Sequence, residues 1–402
     1  MNRRFQVAVV GSSTLVAGLL LFGASYGRSA PPDGPYTHLG VFSEVLSHIQ
    51  TQYVEEPDLK VVTAGAIQGM LASLDPFASY LNADQYKQYL ASKQNPKAGV
   101  GLLLSRRSDY MLIMDAVPGS PAAKAGLASY DIIESINNVA TRDMPLAFAE
   151  ILLQGEPGTS VEMSVLRSNR PDPQKVVLVR EPLTYPPVAA RMVTDEGPGP
   201  AGLISTATLD DARVREIAQQ VRNLEQQGAK RLVLDLRHCS TGAPEEGVAL
   251  ANLFMDKGLI GYTQGQKVGR QDFQASASKQ ITKLPLVVLV NRATAGAAEV
   301  AAEALLDSKR AQVVGERTFG DASIRKAVTL DDGSALILSV AKYYGPAGKA
   351  IQDTGVTPSV SQLETETPAE DDSLSPDLQD AAPVKSGPDL ILQKGLRLPP
   401  EQ

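Results

Sequence analysis

The run Leu284-Pro285-Leu286-Val287-Val288-Leu289-Val290 constrains the fold more than any other stretch, because it offers no polar residue to either side of a pleated strand. Successive strand residues point to opposite faces, so a strand apolar at every position is buried on both. Helical patterns flank it. The amphipathic stretch Asp211 to Gln227 stops at Gly228, a residue suited to ending a helix, and Arg231 to Leu236 follows as a strand. A helix from Glu245 to Asp256, an Ala-rich helix from Gly296 to Leu306 and a strand from Gln312 to Val314 continue the alternation. Strands covered by helices predict an α/β core over residues 184–362. Near its end, Lys326 to Leu330 and Ala335 to Tyr343, joined by Asp331-Asp332-Gly333-Ser334, read as a β-hairpin.

Residues 96–183 read as a separate β-rich module. Short apolar runs, Val100 to Leu104, Tyr110 to Val117, Ile132 to Ile136, Val161 to Leu166 and Val176 to Val179, are separated by Gly, Pro, Asp and Asn, with one helix from Pro145 to Gln154. Residues 31–95 read as a small helical unit: Val41, Val45, Leu46, Ile49 and Tyr53 recur at helical spacing, then Ile67, Met70, Leu71 and Leu74, and Asp75-Pro76 stops the second helix. The fold class expected is therefore α/β multidomain. The tail, 363–402, is rich in Pro, Ser, Asp, Glu and Thr and is expected to be disordered.

In residues 1–30, Arg3 and Arg4 precede an apolar stretch from Phe5 to Tyr26, the layout of an export signal or membrane anchor. Positive charge before the stretch places the N-terminus in the cytoplasm and the remaining chain outside it, in the cell envelope (periplasmic). An uncleaved anchor is the favoured reading. The small residues Gly23-Ala24-Ser25 leave cleavage and secretion as the alternative.

The 38 basic and 45 acidic residues give a net charge of −7, without the long basic run a phosphate backbone demands, so nucleic acid is not an expected partner. Cys239 is the only cysteine and excludes an internal disulfide. No cofactor and no metal site are expected.

Several strings give the chain a resemblance to a known family over residues 41–360. They are Leu74-Asp75-Pro76 with Ser79-Tyr80-Leu81, Ser120-Pro121-Ala122 with Ala125-Gly126-Leu127, Leu234-Asp235-Leu236-Arg237, Gly315-Glu316 with Thr318-Phe319-Gly320, and Lys342-Tyr343-Tyr344. Their number, order and spacing together resemble the carboxyl-terminal processing, or tail-specific, serine peptidases. That resemblance implies a helical N-terminal unit, a PDZ module and a peptidase core, acting on polypeptide C-termini or unfolded protein segments.

It also implies a Ser nucleophile activated by a Lys amine twenty-five positions later. Here the Ser position holds Gly296, the Lys position Asp321, and the position of a supporting Gln, four residues further, Arg325. No hydroxyl is left to activate. The turn that helps form the family's oxyanion hole reads His238-Cys239-Ser240-Thr241-Gly242, one glycine short. Neither Ser323 with Lys326 nor Cys239 with His238 has the geometry of a substitute dyad, and Asp321 with Glu299 is a weak candidate for paired-carboxylate chemistry.

The PDZ module keeps more. Gly99-Val100-Gly101-Leu102 has the form of a carboxylate-binding loop, whose successive backbone N–H groups hold a peptide C-terminus. Leu146, Phe148 and Ile151 are candidates for an apolar pocket beside it, and Tyr130 stands where the family has Gly. The expected protein is a catalytically degenerate, peptide-binding relative that holds C-termini or regulates an active peptidase or envelope protein, with homo-oligomerisation open. The alternatives are an active serine-type endopeptidase with a non-standard site and a structural scaffold.

Overall fold

The computed structural model describes residues 39–94, 98–107, 110–142, 144–167, 172–364 and 388–399. The anchor expected over residues 1–30 lies outside them, and among the described residues no helix is long and apolar enough to cross a membrane. The chain divides into two compact units, Met1–Ala64 and Gly65–Gln402. The first holds helix α1 (Leu39–Gln52), which buries no residue, and the start of α2 (Leu59–Ala72).

In the second unit, Asp75 Oδ1 accepts the N–H groups of Phe77 and Ala78, at 2.8 and 2.7 Å, and turns the chain into β1 (Ser79–Leu81). Helix α3 (Ala83–Gln94) follows behind a reciprocal cap: Gln85 N–H donates to Asn82 Oδ1 and Asn82 N–H to Gln85 Oε1, both at 3.0 Å. The segment 31–95, expected to hold two helices, thus also contributes a strand and a third helix. Nothing local marks the strand, because β1 is only three residues long and exists by pairing antiparallel with a strand some 250 residues later.

The β-rich module is a six-stranded sheet built from β2 (Leu102–Arg107), β3 (Tyr110–Ala116), β4 (Ile132–Ile136), β5 (Val139–Ala140), β6 (Ser160–Leu166) and β7 (Gln174–Val179), ordered β2-β3-β4-β6-β7 with β5 on β4. Alternation sets its inner face: Val161, Met163 and Val165 of β6 are fully buried. The short helix α4 (Pro121–Lys124) is capped by Ser120. Helix α5 (Leu146–Leu153) closes the module's core with Leu146, Ala149 and Leu153.

The core sheet is ordered β17 (Val360–Ser361), β14 (Ala311–Gly315), β13 (Leu286–Val290), β10 (Arg231–Asp235), β9 (Ala201–Ser205) and β8 (Ala189–Val193). Strand β8 (Ala189–Val193) runs antiparallel to β9 (Ala201–Ser205). Helix α6 (Asp211–Gln226) crosses to β10 (Arg231–Asp235), its Asp210 cap accepting the Arg213 N–H at 2.7 Å. After α7 (Pro244–Asn252) come β11 (Leu259–Gln264) and β12 (Gln271–Gln274), which belong to another sheet. Strand β13 (Leu286–Val290), helix α8 (Ala297–Asp307) and β14 (Ala311–Gly315) return to the core sheet, where β9, β10, β13, β14 and the later β17 are parallel.

Both faces of β13 are buried, as its composition demands. Leu286, Val288 and Val290 pack with α6, α7 and α8. Val287 and Leu289 face the other way, into a cluster with Leu203, Val233, Val314, Ile391 and Leu396. The hairpin forms as expected from β15 (Ser323–Thr329) and β16 (Ala335–Tyr344), in a five-stranded sheet with β1, β11 and β12. Strand β17 (Val360–Ser361) completes the core sheet.

The tail departs from expectation. Residues 365–387 lie outside the described residues, but 388–399 are ordered, with helix α9 (Leu390–Arg397) against β13 and β14. Asp389 caps it, accepting the Leu392 N–H at 2.9 Å, Lys394 and Arg397 sit in its last turn, and Ile391 and Leu396 are buried. At Gly395 a Cβ would lie 2.6 Å from Leu289 Cδ2, so a larger residue there would make the Leu289 side chain shift. The Pro- and acid-rich residues before it masked this short amphipathic signal.

Candidate functional site

Strands β10, β13 and β14 run in the same direction and in register, Asp235 beside Leu289 and Val290 beside Gly315, so their C-terminal ends deliver three loops to one edge of the sheet. In open α/β sheets this is the edge where ligands bind. The loop after β13 carries Gly296, the loop after β14 carries Asp321, and the loop after β10 carries His238 to Gly242.

Gly296 stands at the N-terminus of α8 with φ 61° and ψ −120°. This is the sharp, strained strand-to-helix turn that elsewhere presents a nucleophile. A Cβ here would meet nothing nearer than Gly242 O at 3.7 Å and Asp321 O at 3.8 Å. The three positions brought together by the family resemblance therefore converge in space, around room for a side chain that glycine does not supply.

Asp321 and Arg325 form an ion pair with each other. The guanidinium also lies over the Phe77 ring, 4.1 Å from its centroid. Burial pushes the Asp321 carboxyl up, Arg325 pulls it down, and Asp75 and Asp353 push it up again. Glu150 on α5 is exposed at the surface but near the same charges: the surrounding protein raises its carboxyl, Arg325 lowers it and Asp321 raises it. The position of a basic amine is thus filled by a carboxylate already committed to a neighbouring cation.

Glu299, fully buried, ties the loops together. Its carboxylate accepts the Thr318 hydroxyl and the N–H groups of Gly296 at 3.1 Å, Gly320 at 2.7 Å and Asp321 at 2.8 Å. Burial raises its pKa to about 7 against the pull of these donors. Every one of these bonds is structural, and the carboxylate points at no open space from which water could be activated. A lone Glu inside the apolar run Ala297-Ala298-Glu299-Val300-Ala301-Ala302 was the sequence signal for this role.

The substitute dyads fail. Ser323 Oγ faces Ser339 Oγ at 3.2 Å rather than Lys326. Cys239 is fully buried, and burial with the nearby Asp235 pushes its thiol well up, so no thiolate forms. His238 turns away from it and places Nδ1 3.0 and 3.1 Å from the Asp115 carboxylate oxygens of β3. A second bridge joins the module to the core: Tyr130, in a left-handed turn at φ 71°, accepts a hydrogen bond from Arg292, which pairs with Glu316 at 2.8 Å. Tyr130 keeps the turn and adds a strut, which the sequence did not reveal.

Of the loop Gly99-Val100-Gly101-Leu102, the first three residues are buried. Gly99 N–H donates to Glu181 O and Glu181 N–H to Gly99 O, both at 3.0 Å. The carbonyls of Val100 and Gly101 accept from Ala122 at 3.0 Å and Val117 at 2.9 Å. Among the described residues the N–H groups of Val100 and Gly101 find no acceptor. Two successive unpaired amides are donors of the kind that holds a carboxylate. Gly101 adopts φ 78°, and a Cβ there would lie 2.6 Å from Ser120 Oγ. Leu146 is core rather than pocket, Phe148 is half-buried between two clusters, and Phe77 and Phe319 join the module's apolar cluster from outside it.

Comparison with known proteins agrees with this architecture. Residues 201–362 match Peptidase family S41, 112–167 a PDZ domain, and 29–85 the Activating protease CtpB N-terminal domain. A carboxyl-terminal-processing protease of Synechocystis is 35% identical over 315 residues, covering 77% of this chain and 73% of that protein. The carboxy-terminal processing protease CtpA of Bacillus subtilis is 31% identical over 323 residues, covering 79% and 67%. The solved structure of a photosystem II D1 C-terminal processing protease superposes with a TM-score of 0.66 at 30% identity, covering 83% of this chain and 95% of that one. Fold and matches define a PDZ-bearing S41 peptidase architecture. The chain belongs to the carboxyl-terminal processing family of serine peptidases.

Proposed function

We propose that this chain is a non-catalytic member of its family that holds polypeptide C-termini in its PDZ module, anchored in the cell envelope by its N-terminal segment with the main part outside the cytoplasm. The observation that carries the loss of cutting is Gly296, whose nucleophile-type turn has no side chain, next to an amine position occupied by the Asp321–Arg325 pair. Holding a C-terminus rests on the unpaired N–H groups of Val100 and Gly101. A protein that grips chain ends without cleaving them withholds those ends from active relatives or presents them. Anchoring rests on Arg3, Arg4 and the apolar stretch from Phe5 to Tyr26.

Two measurements test the reading. The full chain, incubated with an unfolded polypeptide, leaves it intact; cleavage that persists after affinity repurification ends the non-catalytic half. In calorimetric titration, unstructured peptides with a free C-terminal carboxylate bind and the same peptides amidated do not. Equal binding of acid and amide removes the carboxylate-holding half.

A further inference from the structure

At the edge of the core sheet opposite Gly296, strands β10, β13 and β14 begin at Arg231, Leu286 and Ala311. A cavity of about 450 Å³ opens there, between the strand starts and the residues Leu398 and Pro399 that follow α9. Sites for small molecules fall in this range, about 300–1,000 Å³. The charged lining is one-sided: Arg231, Lys283, Lys309 and Arg310 stand against a single acid, Asp256.

The two guanidinium groups are partnered by carbonyls and not by carboxylates. Arg231, only 4% exposed, donates to the carbonyls of Leu396, of Glu196 at 3.3 Å and of Leu398 at 3.4 Å, and its Nε is buried without an acceptor. Arg310 donates from Nε to Phe254 O and from Nη2 to Leu284 O, both at 2.8 Å, which leaves Nη1 with no acceptor among the described residues. Burial lowers the pKa of both, and no carboxylate stands near enough to raise either. Lys283 and Lys309 are exposed and make no ion pair among the described residues. Lys309 stands at φ 54° directly after α8, where glycine costs least, so a long cation is kept there against backbone preference. Carbonyls satisfy donors but leave net charge in place, and a buried charge is tolerated only when it is compensated. Helices α8 and α9 end within two residues of the lining, and their last carbonyls each supply about half a negative charge. With Asp256 counted as well, about two positive charges remain unbalanced.

We propose that this cavity binds a small phosphate monoester, its phosphoryl group taken by Lys283, Lys309 and Nη1 of Arg310, and its organic part laid against Pro285, Leu286 and Leu398. A phosphate monoester carries about 1.5 to 2 negative charges at neutral pH and three acceptor oxygens, which matches the excess; a carboxylate, with one charge, leaves part of it unmet. The planar guanidinium and the lysine amines are the donors that hold phosphate oxygens, by fork geometry and by point charge respectively. Arg231 backs the cavity and adds to its potential while remaining tied to the end of α9. The site shares no residue with the Gly296 cleft or the Val100–Gly101 loop, so it stands whether or not the chain cuts peptides.

Calorimetric titration of the full chain with phenyl phosphate, inorganic phosphate and benzoate tests the site. Phenyl phosphate is expected to bind saturably with a Kd at or below about 1 mM, more tightly than inorganic phosphate, and benzoate about tenfold more weakly or worse. Lys283→Gln and Lys309→Gln each weaken phenyl phosphate by about tenfold, Asp256→Asn tightens it, and Lys267→Gln, on the β11–β12 turn outside the cavity, leaves it unchanged. Arg310→Gln strips two carbonyls of their donor and disturbs folding as well as binding, so the exposed lysines carry the test. An unstructured peptide with a free C-terminal carboxylate does not displace phenyl phosphate. The site is overturned by absence of saturable binding, by inorganic phosphate or benzoate binding as tightly as phenyl phosphate, by an equal loss in Lys267→Gln, or by displacement with the peptide.

Discussion

Asp321 and Arg325 answer each other: the carboxylate that occupies the amine position of the family's dyad is neutralised by the guanidinium four residues on. The two departures from the family pattern are therefore one change, a paired replacement that leaves no uncompensated charge in the cleft. Both side chains are about a quarter to a third exposed, so the pair contributes at most about 1 kcal/mol to stability.

Removing the cation shifts the acid. In Arg325→Gln the Asp321 carboxyl, already raised by burial, loses the charge that pulls it down and titrates at still higher pH, while Asp75 and Asp353 continue to push it up. Carbon-13 titration of the carboxyl measures this. An unmoved midpoint means that the pair does not form in solution.

Restoring chemistry takes three substitutions. In Gly296→Ser with Asp321→Lys, the new amine faces Arg325, and the two cations repel each other as the present pair attracts. Adding Arg325→Gln removes that repulsion. Cleavage of an unfolded substrate is expected to be strongest in the triple variant and absent in Gly296→Ser alone. Activity in that single variant would show that the site uses a base other than the dyad lysine.

Glu299 makes stability depend on pH. A carboxyl raised on folding from 4.5 to about 7 keeps a proton that the unfolded chain releases, so its effect is least costly below pH 4.5 and stability falls as the pH rises to about 7. The loss is on the order of a few kcal/mol over that window. Glu299→Gln removes this slope, but its amide faces N–H donors that the carboxylate satisfied, at a cost of about 1–3 kcal/mol at any pH. Denaturant unfolding of both proteins from pH 4.5 to pH 8 tests the crossover of slope and offset.

Two glycines of the carboxylate loop separate sharply. At Gly101 an added methyl collides with Ser120 in a left-handed backbone, and Gly101→Ala is expected to cost more than about 2 kcal/mol and to abolish peptide binding. At Gly99 a Cβ meets only Leu183 Cδ1 at 3.6 Å, so Gly99→Ala leaves stability within about 1 kcal/mol. Thermal unfolding with peptide titration decides the contrast.

What the sequence revealed was set by locality. Strand β13 and helix α6 announced themselves because burial on two faces, or on one, leaves a pattern within a single window. Strand β12, Gln271-Asp272-Phe273-Gln274, has no such pattern, since it is an edge held by β11. The convergence of Gly296 and Asp321 was legible only through family strings. Their meeting with Arg325 was not, because four residues along an extended strand span about 13 Å. Contact arises as Asp321 lies two residues before β15, where the chain is still turning. The His238–Asp115 bridge joins residues 123 apart and left no trace at all.

The backbone of Gly296 carries a consequence for reversibility. A turn that costs any other residue about 1–3 kcal/mol costs glycine little, so the fold is less strained at that point with Gly296 than it would be with serine. Introducing serine brings the strain at once, while cleavage is expected only once Asp321 has also changed and is strongest once Arg325 has changed as well. Each single step back lowers stability or sets charges against one another with no activity in exchange. If the chain is non-catalytic as proposed, the geometry of the turn thus acts as a ratchet that holds it on the side of binding.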